Sequence, residues 1–193
     1  FTEVQLSTVG YHQLTAEYAG DGLGIDASGG SLSHAVLTVI EVTTGADEND
    51  GTVDPSIGEG TSLREAVSVS NDGVPIAVTF ASALNTVPIV LSLSGHSEDF
   101  NGTGDLDVRE VVHLFGNGLN NTIIDAGGAG ALQDRIFEVH SGGVLSISDT
   151  TVSGGYVFTE EGFGGGIYVQ HGGELSVKRS QLVNNAAGRN GGA

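Results

Sequence analysis

The sequence predicts an all-β protein, a right-handed parallel β-helix (a solenoid) with a short capping helix at its N-terminal end. Three observations lead to this fold: strand-like segments recur at a fixed offset, apolar and polar residues alternate within them, and glycine is abundant. There are 32 glycines in 193 residues, with no Gly-X-Y period and only three prolines. A unit of about 30 residues is too small to bury its own apolar face, so successive units must stack.

The clearest repeat aligns residues 142–152 with residues 172–182, an offset of 30. A weaker echo covers residues 29–33. Leu145 and Ile147 alternate with polar residues in the first copy, and this period of two predicts a strand with one buried face. The Gly-Gly pairs are expected at corners, where a positive φ is needed. The Asn-Asn pairs at 120–121 and 184–185 would form ladders of stacked amides if they fall in register.

The elements are predicted in three regions. Residues 1–35 have no assignment; a preceding coil, a linker or a docking strand all remain open. Residues 36–80 contain a strand at 36–42 and then, after an acidic turn-rich loop, an amphipathic helix at 61–68 whose N-cap is Thr61 or Ser62. We expect this helix to cover the unpaired strand edges at the open end of the solenoid. Residues 81–193 are predicted to form the coils and to stop in mid-repeat.

Charge and composition exclude several classes of function. The chain has 24 acidic and 6 basic residues, a net charge of −18, and Lys178 is its only lysine. Such a surface repels phosphate backbones, so a nucleic-acid partner is not expected. No apolar run is long enough for a membrane-spanning helix. The absence of cysteine excludes disulfides and thiolate metal sites.

Several motifs occur in an order that resembles a known family. They are the segments VTTGADENDG (42–51), SLREAV (62–67), GDLDV (104–108) and TIID (122–125). This order resembles the bacterial secreted proteins named for a Cys-Ser-Leu-Arg-Glu-Ala segment, over residues 38–193, with Thr61 in place of the cysteine. The tail at 182–193 is similar to the repeats of polymorphic outer-membrane proteins. Both resemblances imply an extracellular or surface-displayed β-helix, and neither implies a reaction.

The sharpest candidate for chemistry is an acidic segment at residues 99–110. Its spacing matches the EF-hand calcium loop, with glycine at position 6, an apolar residue at position 8 and threonine at position 5. The preceding segment is predicted to be a strand rather than a helix, so an exposed acidic turn is the alternative. A second acidic cluster, at 47–50, favours a solvated loop. The predicted calcium ligands are Asp99, Asn101, Thr103, Asp105, Asp107 and Glu110.

Other candidate groups are less specific. None of the six histidines has a metal-site spacing, but His140 and His171 precede the two Gly-Gly pairs one residue out of register, which predicts a solvent-facing pair at strand ends. Glycan hydrolysis requires paired carboxylates, and the group to examine is Asp125, Asp134 and Glu138. The arginines that a lyase would need are scattered. An aromatic cluster in the segment 154–166 and just after it could either bind a ligand or fold back on the solenoid: Tyr156, Phe158, Phe163 and Tyr168.

Taken together, these features favour a non-catalytic extracellular structural or adhesive module, with no catalytic residue assigned. Its partner would be a surface glycan or a protein, or another copy bound through the solenoid ends. Two alternatives stay open. One is a glycan-active β-helix enzyme, either a polysaccharide lyase or a glycoside hydrolase, and the other is a self-assembling fibre subunit.

Overall fold

The protein is a β-solenoid of about 3 turns, described by a computed structural model over residues 5–19, 28–95, 98–130, 132–158 and 162–191. One α-helix, α1 (Leu63–Ser70), lies within these ranges, where no helix has the length and apolar character needed to cross a bilayer. The strands are β1 (Gly10–Tyr18), β2 (Ser28–Val36), β3 (Thr38–Val42), β4 (Ile76–Phe80), β5 (Ile89–Val90), β6 (Leu106–Val108), β7 (Val111–Phe115), β8 (Ile123–Asp125), β9 (Phe137–Val139), β10 (Val144–Ser148), β11 (Thr151–Ser153), β12 (Tyr156–Val157), β13 (Ile167–Val169), β14 (Glu174–Lys178), β15 (Gln181–Val183) and β16 (Ala186–Ala187).

The strands from β3 onward pair in parallel and form the faces of the solenoid. The longest face has the order β3, β4, β7, β10, β14; the second has β5, β8, β11, β15; the third has β6, β9, β13; and β12 pairs with β16. Neighbours within a face come from successive passes of the chain. The predicted parallel β-helix is therefore confirmed.

The core consists of inward-facing residues stacked in columns along the solenoid. Leu145 aligns with Val112 in the coil before it and with Leu175 in the coil after it. Leu145 and Val112 are fully buried, whereas Leu175 is 39 % exposed because no described coil covers it. Burial at these positions thus depends on the next coil as much as on the residue itself.

The repeat seen in the sequence is the coil repeat of the structure. Val144 pairs with Glu174 at the predicted offset, and the corner residues Gly142 and Gly172 share a φ of 88°. The preceding coil is longer, as the pairing of Val144 with Val111 shows. Its sequence therefore does not align with the later coils at an offset of 30.

Two weaker expectations from the repeat are wrong. The echo at residues 29–33 belongs to β2, which pairs with β1 in an antiparallel hairpin rather than in a coil. The Asn-Asn pairs are not in register, since the strand pairing aligns Asn184 with Gly154. A different amide pair joins adjacent coils: Asn117 Nδ2 donates to Asn85 Oδ1 at 2.9 Å.

The capping helix is confirmed, with Ser62 as its N-cap. The Ser62 hydroxyl accepts from Glu65 N at 3.1 Å, and the Glu65 carboxylate accepts from Ser62 N at 2.9 Å, which completes a capping box. The apolar face of α1 is fully buried through Leu63, Ala66 and Val67. The helix packs against β3, β4 and β6. Since β6 is the first strand of its face, α1 lies where a further strand would otherwise pair.

A buried ion pair fastens this cap to the coils. Arg64 is fully buried, and its Nε and Nη2 donate to the two carboxylate oxygens of Asp47 at 2.6 and 3.1 Å. The guanidinium also donates to the carbonyl oxygens of Gly104 and Asp105, at 2.8 and 3.3 Å. Asp47 Oδ2 accepts two backbone N–H groups of residues 92–93, both at 2.7 Å. Such partners offset the desolvation cost of burying both charges.

The N-terminal segment 1–35, which the sequence leaves unassigned, is described at residues 5–19 and 28–35. There β1 and β2 form an antiparallel hairpin in which Gly10 aligns with Val36. Most residues of both strands are exposed, including Tyr11 at 60 % and Leu32 at 65 %. The hairpin therefore adds little to the buried core.

Candidate functional site

Several acidic residues lie on or next to the outer side of the β6–β9–β13 face. Strand pairing places Asp107, Glu138 and Tyr168 at one position of three successive strands. The residues on either side of Asp107 in β6 and of Glu138 in β9 are buried in the core. Because side chains alternate between the two faces of a strand, the column formed by Asp107, Glu138 and Tyr168 faces outward. The same alternation, read from the segments 106–108 and 137–139, was available in the sequence.

Residues 98–105, here called the covering loop, shield the start of this face. Asn101 lies at the centre of the loop with a φ of 64° and is fully buried. Its side chain binds the backbone of Asp107 as a strand would: Oδ1 accepts from Asp107 N at 2.6 Å and Nδ2 donates to Asp107 O at 3.1 Å. Asn49 Nδ2 in turn donates to Asn101 O at 3.1 Å. As a result Asp107 is only 1 % exposed.

Asp107 contacts a histidine from the next coil. His140 Nε2 lies 2.6 Å from Asp107 Oδ1, and His140 is 7 % exposed. Burial raises the pKa of Asp107, while the hydrogen bonds from His140 and from Asn101 N act in the opposite direction. Asp99 lies at the rim, and its carboxylate oxygen and the ligand atoms of Asp107 and His140 all lie within 4.8 Å of one another. These three residues could hold a metal ion.

A second group of carboxylates surrounds Arg135 on the same side. Arg135 Nε lies 3.5 Å from Asp105 Oδ2 and 3.9 Å from Asp134 Oδ1, and Nη1 pairs with Glu138 Oε2. The guanidinium stacks on the Tyr168 ring, with Cζ 5.0 Å from the ring centroid. Two of the three carboxylates predicted as a hydrolytic group, Asp134 and Glu138, therefore meet here.

The third member of that predicted group lies on a different face. Asp125 ends β8, in the β5–β8–β11–β15 face, and its Oδ1 accepts from Gly127 N at 3.0 Å. The three carboxylates thus do not form one set.

Asp105 has an unusual protonation state for a carboxylic acid. Burial and the nearby carboxylates of Asp134 and Asp107 outweigh Arg135 and raise the pKa of Asp105 to about 9. A carboxyl group with this pKa is neutral at pH 7. Since Asp105 is 5 % exposed and Asp134 8 %, however, little of either reaches solvent.

The residues predicted as an EF-hand loop do not all share one task. Asp99 and Asp107 meet beside His140, whereas Asn101 binds the Asp107 backbone and Asp105 faces Arg135. The backbone N of Thr103 donates to Glu98 Oε2 at 3.0 Å. The carbonyl oxygen of Glu110 accepts from Val144 N at 3.1 Å, in the next coil. The calcium site with this ligand set stays a prediction.

The acidic cluster at 47–50 belongs to the cap. Besides the Asp47–Arg64 pair, Glu48 Oε1 accepts from Glu59 N at 2.8 Å, and Asp50 N donates to Glu65 Oε1 at 2.9 Å. These contacts fold the segment against α1. The expectation of a merely solvated loop is therefore wrong for Asp47.

The expected histidine pair is also wrong. Val139 pairs with Val169, so the residue that follows His140 in the stack is Gln170 rather than His171. His140 is buried against Asp107, while His171 is exposed. The sequence reading missed the Asp107–His140 contact because the offset between these coils is not the offset of the later repeat. His96 lies outside the described residues.

A groove on the outside of the β4–β7–β10–β14 region was not predicted. It has a volume of about 130 Å³, and two outward columns line it: Phe115, Ser148 and Lys178 in one, and His113, Ser146 and Ser176 in the other. The rings of His113 and Phe115 stack with centroids 6.2 Å apart. Burial, with a smaller contribution from Lys178, lowers the pKa of His113, which keeps the imidazole neutral at pH 7.

The aromatic residues near the 154–166 segment form two stacked pairs. Tyr156 stacks on Phe158 at 5.4 Å and Phe163 stacks on Tyr168 at 6.2 Å. Phe158 is 71 % exposed and does not fold back into the core, whereas Tyr168 is half-buried beside Arg135. Residues 159–161 of this segment lie outside the described residues.

Comparison of the chain with protein-family models, with curated proteins and with solved structures finds no match. The similarity to secreted β-helix proteins consequently rests on the motifs quoted above.

Proposed function

We propose that the protein is a non-catalytic structural or adhesive module of the cell surface or extracellular space. The observation that carries this proposal is that the carboxylate cluster is buried from solvent. Asp105, Asp107 and Asp134 are 5 %, 1 % and 8 % exposed, and each has a partner within the protein. A glycosidase needs two carboxyl groups on either side of a scissile bond, with space for the sugar between them. Here Arg135 fills that space.

The outer-face groove supports a binding role. Phe115 is 47 % exposed, and an exposed ring among hydroxyl groups suits the apolar face and the hydroxyls of a sugar. Ser146, Ser148 and Ser176 supply those hydroxyls, and the stacked coils hold them on rigid strands. The net charge of −18 disfavours polyanions, so the ligand proposed is a neutral surface glycan.

The extracellular location is part of this proposal. It rests on the ordered motifs shared with secreted β-helix proteins. The residues of the Ser-Leu-Arg-Glu-Ala segment have clear structural tasks in the cap, namely capping at Ser62, core packing at Leu63 and the buried ion pair at Arg64.

Binding and catalysis can be tested with the same preparations. Titration of neutral oligosaccharides should give saturable binding, and Phe115→Ala should weaken it about tenfold or more, as loss of a central aromatic contact does. Phe158→Ala is the matched control, because this ring is also exposed but lies outside the groove. If Phe115→Ala leaves the affinity unchanged, the groove is not the binding site. A measurable turnover of any glycan would refute the non-catalytic proposal.

One observation favours an enzyme as the second candidate. Burial and neighbouring carboxylates raise the pKa of Asp105, which lies in one cluster with Glu138 and Asp134, and a carboxylic acid with a raised pKa near a second carboxyl group is typical of glycosidases. This candidate predicts release of reducing ends that Glu138→Gln abolishes. The fibre alternative stays a prediction, and it predicts filaments by electron microscopy of dilute protein.

A further inference from the structure

We propose that Asp99, Asp107 and His140 form a binding site for a divalent transition-metal ion such as Zn²⁺. The proposal is independent of the adhesive role. The three residues come from separate parts of the chain: Asp99 from the covering loop, Asp107 from β6, and His140 from the end of β9 in the next coil. Their ligand atoms lie within 4.8 Å of one another.

His140 and Asp107 are in hydrogen-bond contact, with Nε2 and Oδ1 2.6 Å apart. One proton, on the imidazole or on the carboxyl group, lies between the two atoms, and a metal ion would take the place of that proton. Neighbouring ligand atoms of one zinc ion lie roughly 3 Å apart when each is about 2 Å from the metal. A small widening of this contact therefore accommodates the ion.

The other interactions of Asp107 fix its orientation before any ion binds. Asn101 N donates to Asp107 Oδ2 at 3.3 Å, and the Asn101 side chain binds the Asp107 backbone on both sides. His140 is placed by its own backbone N, which donates to Val108 O at 2.9 Å. Outer contacts of this kind hold metal ligands in place and tune their affinity.

The donor set selects the class of metal. Calcium takes six to eight oxygen ligands, and among the residues that the structure describes two carboxylates converge here. An imidazole with two carboxylates suits zinc and its neighbours in the first transition series, with water completing the coordination. Arg109 Nη2 lies 3.3 Å from Asp99 Oδ2 on the exposed side, so metal binding has to displace or share this ion pair.

Binding would pin the covering loop to the next coil. Asp99 is the loop ligand, with a side chain 60 % exposed, while Asp107 lies in β6 and His140 directly follows β9 in the next coil. The ion would thus act as a cross-link between a surface loop and the solenoid wall.

The test is a titration of the full chain, stripped with chelator, with Zn²⁺ and Co²⁺ at fixed ionic strength. We expect one ion per chain by calorimetry, a rise in melting temperature with Zn²⁺, and visible Co²⁺ absorption of a site with fewer than six ligands. Asp99→Asn should weaken binding at least tenfold without unfolding the protein, because its side chain is largely exposed. His140→Gln should do the same if it folds, as judged by circular dichroism.

His171→Gln is the matched control, since His171 is an exposed histidine at the corresponding strand end and should leave the affinity unchanged. The proposal is overturned if no saturable binding occurs, if Asp99→Asn has no effect, or if His171→Gln abolishes binding. The proposal is also overturned if the protein binds Ca²⁺ as tightly as Zn²⁺ and His140→Gln does not weaken that binding. This result would favour a calcium site formed by oxygen ligands of the segment 99–110.

Discussion

The cap and the last described coil each contain an Arg–Asp pair with two hydrogen bonds, in opposite surroundings. Arg64 and Asp47 are fully buried, and Arg179 and Asp149 join β14 to β10 across the surface, with the Arg179 side chain 68 % exposed. Their hydrogen-bond lengths are similar, at 2.6–3.1 Å and 2.6–2.7 Å. The hydrogen-bond lengths of an ion pair therefore say little about its contribution to the stability of the fold. That contribution depends on how far the pair is buried from water.

The largest effect should come from breaking the buried pair. Arg64→Ala leaves Asp47 charged and buried with its backbone donors only, which should lower the free energy of unfolding by about 3–5 kcal/mol. Chemical denaturation measures this. Arg179→Ala, in the exposed pair, should change it little, because water and salt screen that interaction. Equal losses in the two variants would contradict the comparison.

A second comparison uses two paired core positions in successive coils, Leu145 and Leu175. Leu145→Ala removes a fully buried side chain and should cost about 2–5 kcal/mol. Leu175→Ala, at the paired position of the last described coil, should cost markedly less, because Leu175 is already 39 % exposed. Urea unfolding of both variants would measure the stacking contribution directly, and a loss at Leu175 as large as that at Leu145 would argue against it.

The third comparison is between Asp105 and Asp149, whose contributions to stability should depend on pH in opposite directions. Asp105 holds its proton up to a pKa of about 9 in the folded protein, whereas the unfolded chain releases it near 3.8. The stability associated with this proton is complete below about pH 4 and falls as pH rises towards 9. Asp105→Asn mimics the neutral acid, so it should raise stability near pH 7 by on the order of a few kcal/mol and flatten the profile.

Asp149 should behave in the opposite sense. Its hydrogen bond with Arg179 lowers the pKa of Asp149, so its contribution is present above about pH 4 and is lost as pH falls through the folded pKa. Melting temperatures of Asp105→Asn and Asp149→Asn across pH 3–10 would separate the two. A stability decrease in Asp105→Asn at pH 7 would show that this site needs an ionised carboxylate.

Much of the fold could be predicted from the sequence because stacking imposes a period on it. Alternation in 144–148 and 174–178 predicted paired strands, and an N-cap candidate at Thr61 or Ser62 predicted the helix start. The repeat with an offset of 30 did not extend to the earlier coils, because β7 aligns with β10 at a different offset. Of the site, the sequence analysis grouped Asp99 with Asp107 and Asp134 with Glu138, but it did not predict the contact of Asp107 with His140.

The sequence by itself determined the architecture, since alternation, glycine corners and capping are local patterns with a direct physical cause. Only the tertiary structure decided which polar residues meet. His140 joins Asp107 because two coils stack in one particular register. Burial, together with carboxylates from its own coil and from the next, raises the pKa of Asp105. Register between coils of unequal length follows from packing of the whole stack, which no single segment encodes.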